Sequence, residues 1–86
     1  MDKRILTLRK KIDELDEEII RLLKMRMKVS KEVGKLKEEL HIPVEDKRRE
    51  DQIIDRLIQQ AGKNLSEDHL IRIFTAVFKS SKQVQK

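Results

Sequence analysis

The sequence contains no cysteine, tryptophan or tyrosine, a single proline (Pro43), two glycines and two phenylalanines. Without thiols, neither a disulfide framework nor a thiolate metal site is available, and the two histidines, His41 and His69, are too far apart in sequence for a ligand spacing. Metal and thiol chemistry drop out as functions, and no cofactor is expected. Long hydrophobic runs are missing too. Apolar residues come in twos and threes, and no apolar stretch follows the basic residues of the first eleven positions, so the expectation is a soluble, cytoplasmic chain without a signal or a membrane span. The scarcity of glycine and proline leaves few places to turn. With 43% charged residues, this composition implies long helices with short connections. At 86 residues, of which 37% are hydrophobic, the chain is expected to form one domain, 1–86, with a modest core.

Twenty-one basic residues against 16 acidic ones give a net charge of +5. The surplus favours an anionic partner, whether nucleic acid, an anionic membrane surface or a small carboxylate, and charge alone does not choose among these.

Apolar positions follow a regular rhythm: Ile5, Leu8, Ile12, Leu15, Ile19, Leu22, then Arg26, then Val29, Val33, Leu36 and Leu40. Steps of three and four make this one helix with a heptad seam, broken at His41-Ile42-Pro43 because the residue before proline resists the helical region. A second helix starts with Asp46 as N-cap, carries Ile53, Ile54, Leu57 and Ile58 on one face and ends at Ala61-Gly62. Ser66 caps a third helix whose stripe runs Ile71, Phe74, Phe78 and then reaches the polar Ser81 and Gln85. A first helix over residues 3–40 spans about 57 Å, whereas the other two reach about 22 and 30 Å. Two short helices cannot cover so long a seam. A second copy running antiparallel in a two-fold dimer is the simplest cover.

Polar residues at apolar positions mark candidate function. Arg26 on the seam needs a negative partner, either a protein carboxylate in a register-fixing salt bridge or the carboxylate of a ligand. Lys37, eleven residues on, shares its face about 16 Å along the axis; by itself it reads as a solvated lysine, and its value comes from alignment with Arg26. Asp46, Arg49 and Glu50 cluster at the start of the second helix, where capping and surface pairing explain them as well as an anion site does. Ser81 and Gln85 are consistent with a fraying helix end. Gly34 inside the long helix costs about 1 kcal/mol relative to alanine, which implies a close backbone approach there. The acids at 13, 14, 16, 17 and 18 read as a solvated face.

Taken in order, Leu8-Arg9-Lys10-Lys11-Ile12-Asp13, Arg26, Glu32-Val33-Gly34-Lys35-Leu36-Lys37, Pro43-Val44, Asp46-Lys47-Arg48-Arg49-Glu50 and the ending from Ile73-Phe74 to Val84-Gln85 resemble the all-helical, AroQ-class chorismate mutases over nearly the whole chain. The resemblance implies an all-α, three-helix protomer with one long N-terminal helix, intertwined with its twin in an antiparallel two-fold dimer. It implies the isomerisation of chorismate to prephenate in aromatic amino-acid biosynthesis, by a [3,3] rearrangement. Arg9, Arg26, Lys37, Asp46, Arg49, Glu50, Ser81 and Gln85 fall on the family's site positions. Arg9 and Arg26 would hold the two carboxylates, with Arg49 and Ser81 supporting the ring end. Lys37 and Gln85 would donate to the ether oxygen, and Glu50 with the Asp46 backbone region would fix the ring hydroxyl. Arg9 lies about 42 Å along the helix from Lys37, so within this resemblance it serves the partner's site.

Two other functions compete. Similar domains fused to 3-deoxy-arabino-heptulosonate-7-phosphate synthase bind chorismate or prephenate as feedback ligands. A basic coiled coil that binds nucleic acid is the third, disfavoured because acids alternate with the bases and no aromatic stacking residues lie among them. No membrane partner is expected.

Overall fold

The computed structural model describes residues 1–86. Three helices and no strands make up the chain: α1 Lys3–Glu39, α2 Lys47–Ala61 and α3 Glu67–Gln85. Each starts where the sequence supplies a cap. The Asp2 side chain accepts from the Arg4 backbone N–H, that of Asp46 from Arg49 and that of Ser66 from His69, each satisfying a donor that the first turn leaves free. α1 stops at a left-handed residue, His41 (φ 56°), with the Ile42 N–H folded back onto the Lys37 carbonyl at 2.8 Å. α2 ends at Gly62, whose φ of 59° suits a residue without Cβ.

α1 packs on α3 and α3 packs on α2, while α1 and α2 do not meet. This arrangement makes α3 the spine and leaves a gap between the other two helices. The buried apolar residues are Ile53, Leu70 and Phe78, joined by the small residues Ser30, Gly34 and Ser81. On α2 the expected face is observed, with Ile53 buried and Ile54, Leu57 and Ile58 half-buried. On α3 the register differs from the expected stripe at its start: Leu70 is buried and Ile71 is exposed. Phe74 and Phe78 keep their places, their ring centroids 6.0 Å apart. The helix continues through Ser81 to Gln85, with Ser81 buried.

The covered stripe of α1 is Leu23, Met27, Ser30 and Gly34, not the heptad seam. Those residues lie one position beyond Leu22, Arg26, Val29 and Val33, a rotation of about 100°. The aliphatic seam residues are exposed, Leu8 57%, Leu15 62% and Leu36 55%, while Arg26 on the same seam is half-buried. With extents of 57 × 24 × 15 Å, the molecule is as long as α1, and every residue from Met1 to Leu22 is exposed. No helix is long and apolar enough to cross a membrane.

Candidate active site

The gap between α1 and α2 is a cavity of about 300 Å³. α1 contributes Arg26, Ser30 and Lys37, the turn of α2 contributes Asp46, Arg49 and Glu50, and α3 contributes Ser81, Lys82 and Gln85. Val29, Val33, Val44, Ile53 and Phe78 supply its apolar walls. Seven of the eight residues singled out from sequence therefore converge on one space. The eighth, Arg9, does not. It sits on the exposed N-terminal part of α1, with its guanidinium against the Met1 sulfur at 3.0 Å.

Local structure fixes each cation. Arg26 reaches α3, donating to the Ser81 hydroxyl, and its guanidinium lies over the Phe78 ring, 5.9 Å from the centroid. Within the chain it has no carboxylate partner. Burial weakens the hold of Arg26 on its proton, and repulsion from Arg49 adds to the effect, so its pKa falls below the ordinary value. Two guanidiniums that repel each other in a partly dry cavity mark a place where an anion is stabilised. Lys37 crosses to the loop after α1 and donates to the Val44 carbonyl at 3.0 Å. That bond holds the loop against α1 and keeps the ammonium at the cavity wall.

The acids here are already engaged. Asp46 caps α2 through Arg49 N–H at 3.0 Å. Glu50, largely buried, pairs with Lys82 at 3.2 Å, and the same ammonium reaches Glu45 at 3.1 Å. Glu45 first, and then Glu50, raises the pKa of Lys82 above its ordinary value, so the ammonium is retained. Arg26, Lys37 and Arg49 remain without carboxylate partners, a positive surplus inside the cavity.

Gln85 enters from the last turn of α3, and its side-chain Oε1 is buried without a hydrogen-bond partner. Its position depends on Gly34. A Cβ there would lie 2.7 Å from Gln85 Cα and 2.8 Å from its carbonyl oxygen. The close approach expected at Gly34 is thus made by the end of α3, and it aligns Gln85 with the α1 residues of the site.

Two polar lining residues were not singled out from sequence. Ser30 lies one turn after Arg26 and one heptad before Lys37, a spacing that could have found it. Lys82 carried no such signal, since it sits among other lysines near the C-terminus.

Comparison with known proteins agrees with this geometry. The profile of the family described as chorismate mutase type II matches residues 8–86. A chorismate mutase of Methanocaldococcus jannaschii is 36% identical over 87 residues, covering 100% of this chain and 88% of that protein. The bifunctional chorismate mutase/prephenate dehydratase of Escherichia coli (strain K12) is 38% identical over 84 residues, covering 95% of this chain and only 22% of the longer protein. Among solved structures, a chorismate mutase from Helicobacter pylori in complex with prephenate superposes with a TM-score of 0.90 at 34% identity, over 98% of this chain and 91% of that one. A conserved hypothetical protein from Pyrococcus furiosus gives 0.83 at 34% identity, over the full length of both. The helical architecture, the cavity and these matches together place the chain in the chorismate mutase type II family.

Proposed function

We propose that this family member converts chorismate to prephenate in the cavity between α1 and α2, and that Arg9 of a second copy completes each site. The observation that carries this reading is the convergence of Arg26, Lys37 and Arg49, none of them paired with a carboxylate, on one small cavity with the amide of Gln85. Such a surplus suits a compact dicarboxylate. Prephenate, with which the H. pylori protein was solved, is a molecule of this kind.

The reaction breaks the ether C–O bond of chorismate while a C–C bond forms between the enolpyruvyl methylene and the ring. Electrons move in one cycle, with no proton transferred and no covalent intermediate. The protein's task is to hold the folded substrate and to oppose the negative charge that builds on the ether oxygen. Arg26 binds one carboxylate through its forked donors and Arg9 of the second copy binds the other. Arg49 and Ser81 support the ring end, and Glu50 with the start of α2 at Asp46 accepts the ring hydroxyl. Lys37 and the Gln85 amide donate to the ether oxygen, and these bonds strengthen as the C–O bond lengthens. The exposed seam of α1 supports the dimer, because about ten aliphatic side chains along one helix exceed the apolar patch a soluble monomer ordinarily leaves in water.

The test is loss of chorismate absorbance on adding the purified chain. Turnover with appearance of prephenate is the expected result. Chorismate binding without turnover would make the chain a ligand-binding domain instead.

A further inference from the structure

Lys82 is the one cation of the cavity committed to protein carboxylates, and its position gives it a task of its own. It sits on α3 next to Ser81 and holds two acids from two different segments: Glu45 of the loop after α1, and Glu50 of the first turn of α2. No Cα of α2 lies within 8 Å of one on α1, so the distance from Glu50 to Arg26 and Lys37 is set through α3 and through that loop. Lys82 ties both of these connections together at one atom. It also lies on a boundary, since Glu50, Phe78 and Lys82 line both the cavity and the larger groove between α2 and α3 that carries Lys47, Asp51, Asp55 and Lys79. A glutamate at such a boundary has two rotameric choices, into the cavity or out to the groove and its lysines.

We propose that Lys82 is a positioning residue that fixes the Glu50 carboxylate for the ring hydroxyl of the substrate and thereby sets the preference for a hydroxylated ring. This inference rests on the assignment of the cavity to chorismate. Lys82 engages Oε2 of Glu50, which leaves Oε1 to accept from the hydroxyl. The second acid, Glu45, anchors the ammonium with both carboxylate oxygens at 3.1 Å, so Lys82 is held in place before any substrate arrives. Protonation of Lys82 is secured by the same two acids, and the arrangement persists throughout the neutral range.

The experiment compares two substrates, chorismate and its analogue lacking the ring hydroxyl, across wild type, Lys82→Met and Lys82→Arg. Misplacing one contact in a closely fitted site lowers efficiency by about ten- to a hundredfold. Lys82→Met is therefore expected to lower kcat/KM for chorismate by that factor and to leave the analogue unchanged, because Glu50 has nothing to accept from it. Lys82→Arg, which keeps the charge, restores most of the loss. Equal losses on both substrates would reduce Lys82 to a prop for the α2–α3 packing and overturn the proposal, as would no loss on either. If Lys82→Met does not fold, the same two-substrate comparison on Glu45→Gln decides: a loss confined to chorismate sustains the proposal, and parallel behaviour of the two substrates ends it. A wild-type chain that leaves chorismate untouched overturns the assignment of the cavity itself, a result separate from any behaviour of Lys82.

Discussion

Gln85 combines a buried amide with a place one residue from the end of the chain, two conditions that usually exclude each other. Its unpartnered Oε1 is an acceptor withdrawn from water at some cost in stability, and a half-turn of the amide puts the NH2 in its place, where it donates to a ligand acceptor. For the proposed role, an amide donating to the ether oxygen, Gln85→Ala is expected to lower kcat by about 10²–10³-fold with a smaller change in KM, which steady-state kinetics checks. Gln85→Glu is expected to be poor at neutral pH. A carboxylate donates only when protonated, and its charge would repel the developing oxyanion. Burial raises a carboxyl pKa, so the donor form returns as the pH falls toward about 5 and activity rises with it. A flat pH profile near wild-type rates in both variants would remove Gln85 from the site. Arg26 illustrates the same logic in reverse. Its depressed pKa comes first from burial and then from Arg49, and the charge of a bound carboxylate would offset both.

Helix ends and helix crossings decide how these side chains meet. Three caps were legible in the sequence, at Asp46, Ser66 and the Gly62 terminus, because capping is a local exchange between a side chain or a conformation and the backbone of one turn. The face by which α1 meets α3 was not legible. The strongest apolar periodicity belongs to the exposed seam, and the contact stripe contains Ser30 and Gly34, which carry no hydrophobic signal. What such small residues provide is closeness. Gly34→Ala gains about 1 kcal/mol of helix propensity but sets a Cβ within 2.7 Å of Gln85 Cα. Overpacking of this kind costs about 1–3 kcal/mol, so the end of α3 is expected to move outward. A displacement near 1 Å at Gln85 corresponds to about 10²-fold in rate. Activity should therefore fall much further than the melting temperature, and kinetics together with thermal unfolding on the same variant check this.

A chain whose longest helix runs the full 57 Å of the molecule, with residues 1–22 wholly exposed, is an unfinished surface. The proposed dimer finishes it and brings an arginine from one end of α1 to the site at the other. Mixed dimers offer a direct measurement. Arg9→Ala and Arg26→Ala each inactivate both sites of their own homodimer. In a heterodimer of the two, one site combines the intact Arg26 of one chain with the intact Arg9 of the other, while the second site lacks both. Random co-refolding of equal amounts is therefore expected to recover about a quarter of wild-type activity, since half the dimers are mixed and each has one good site. No recovery would mean that Arg9 acts within its own chain, and an active Arg9→Ala homodimer that it does not act at all.

The sequence by itself determined the three helices, their caps and breaks, the long apolar seam and the family, because each rests on interactions within a turn or on the order of residues along the chain. It also singled out Arg26, Lys37, Asp46, Arg49, Glu50, Ser81 and Gln85, though the residues alone left a salt bridge, a capping cluster and a frayed tail equally open. Tertiary structure brings these seven residues to one cavity, with Asp46 still capping α2. Only the packing of α1 and α2 on opposite sides of α3 made a cavity of their separation, left three cations there without protein acids, and turned the last turn of α3 inward over Gly34. Lys82 belongs wholly to this second category. A lysine among lysines becomes distinct only when folding brings acids 37 and 32 positions away to the same ammonium, since contacts between residues far apart in sequence leave no periodic trace in it.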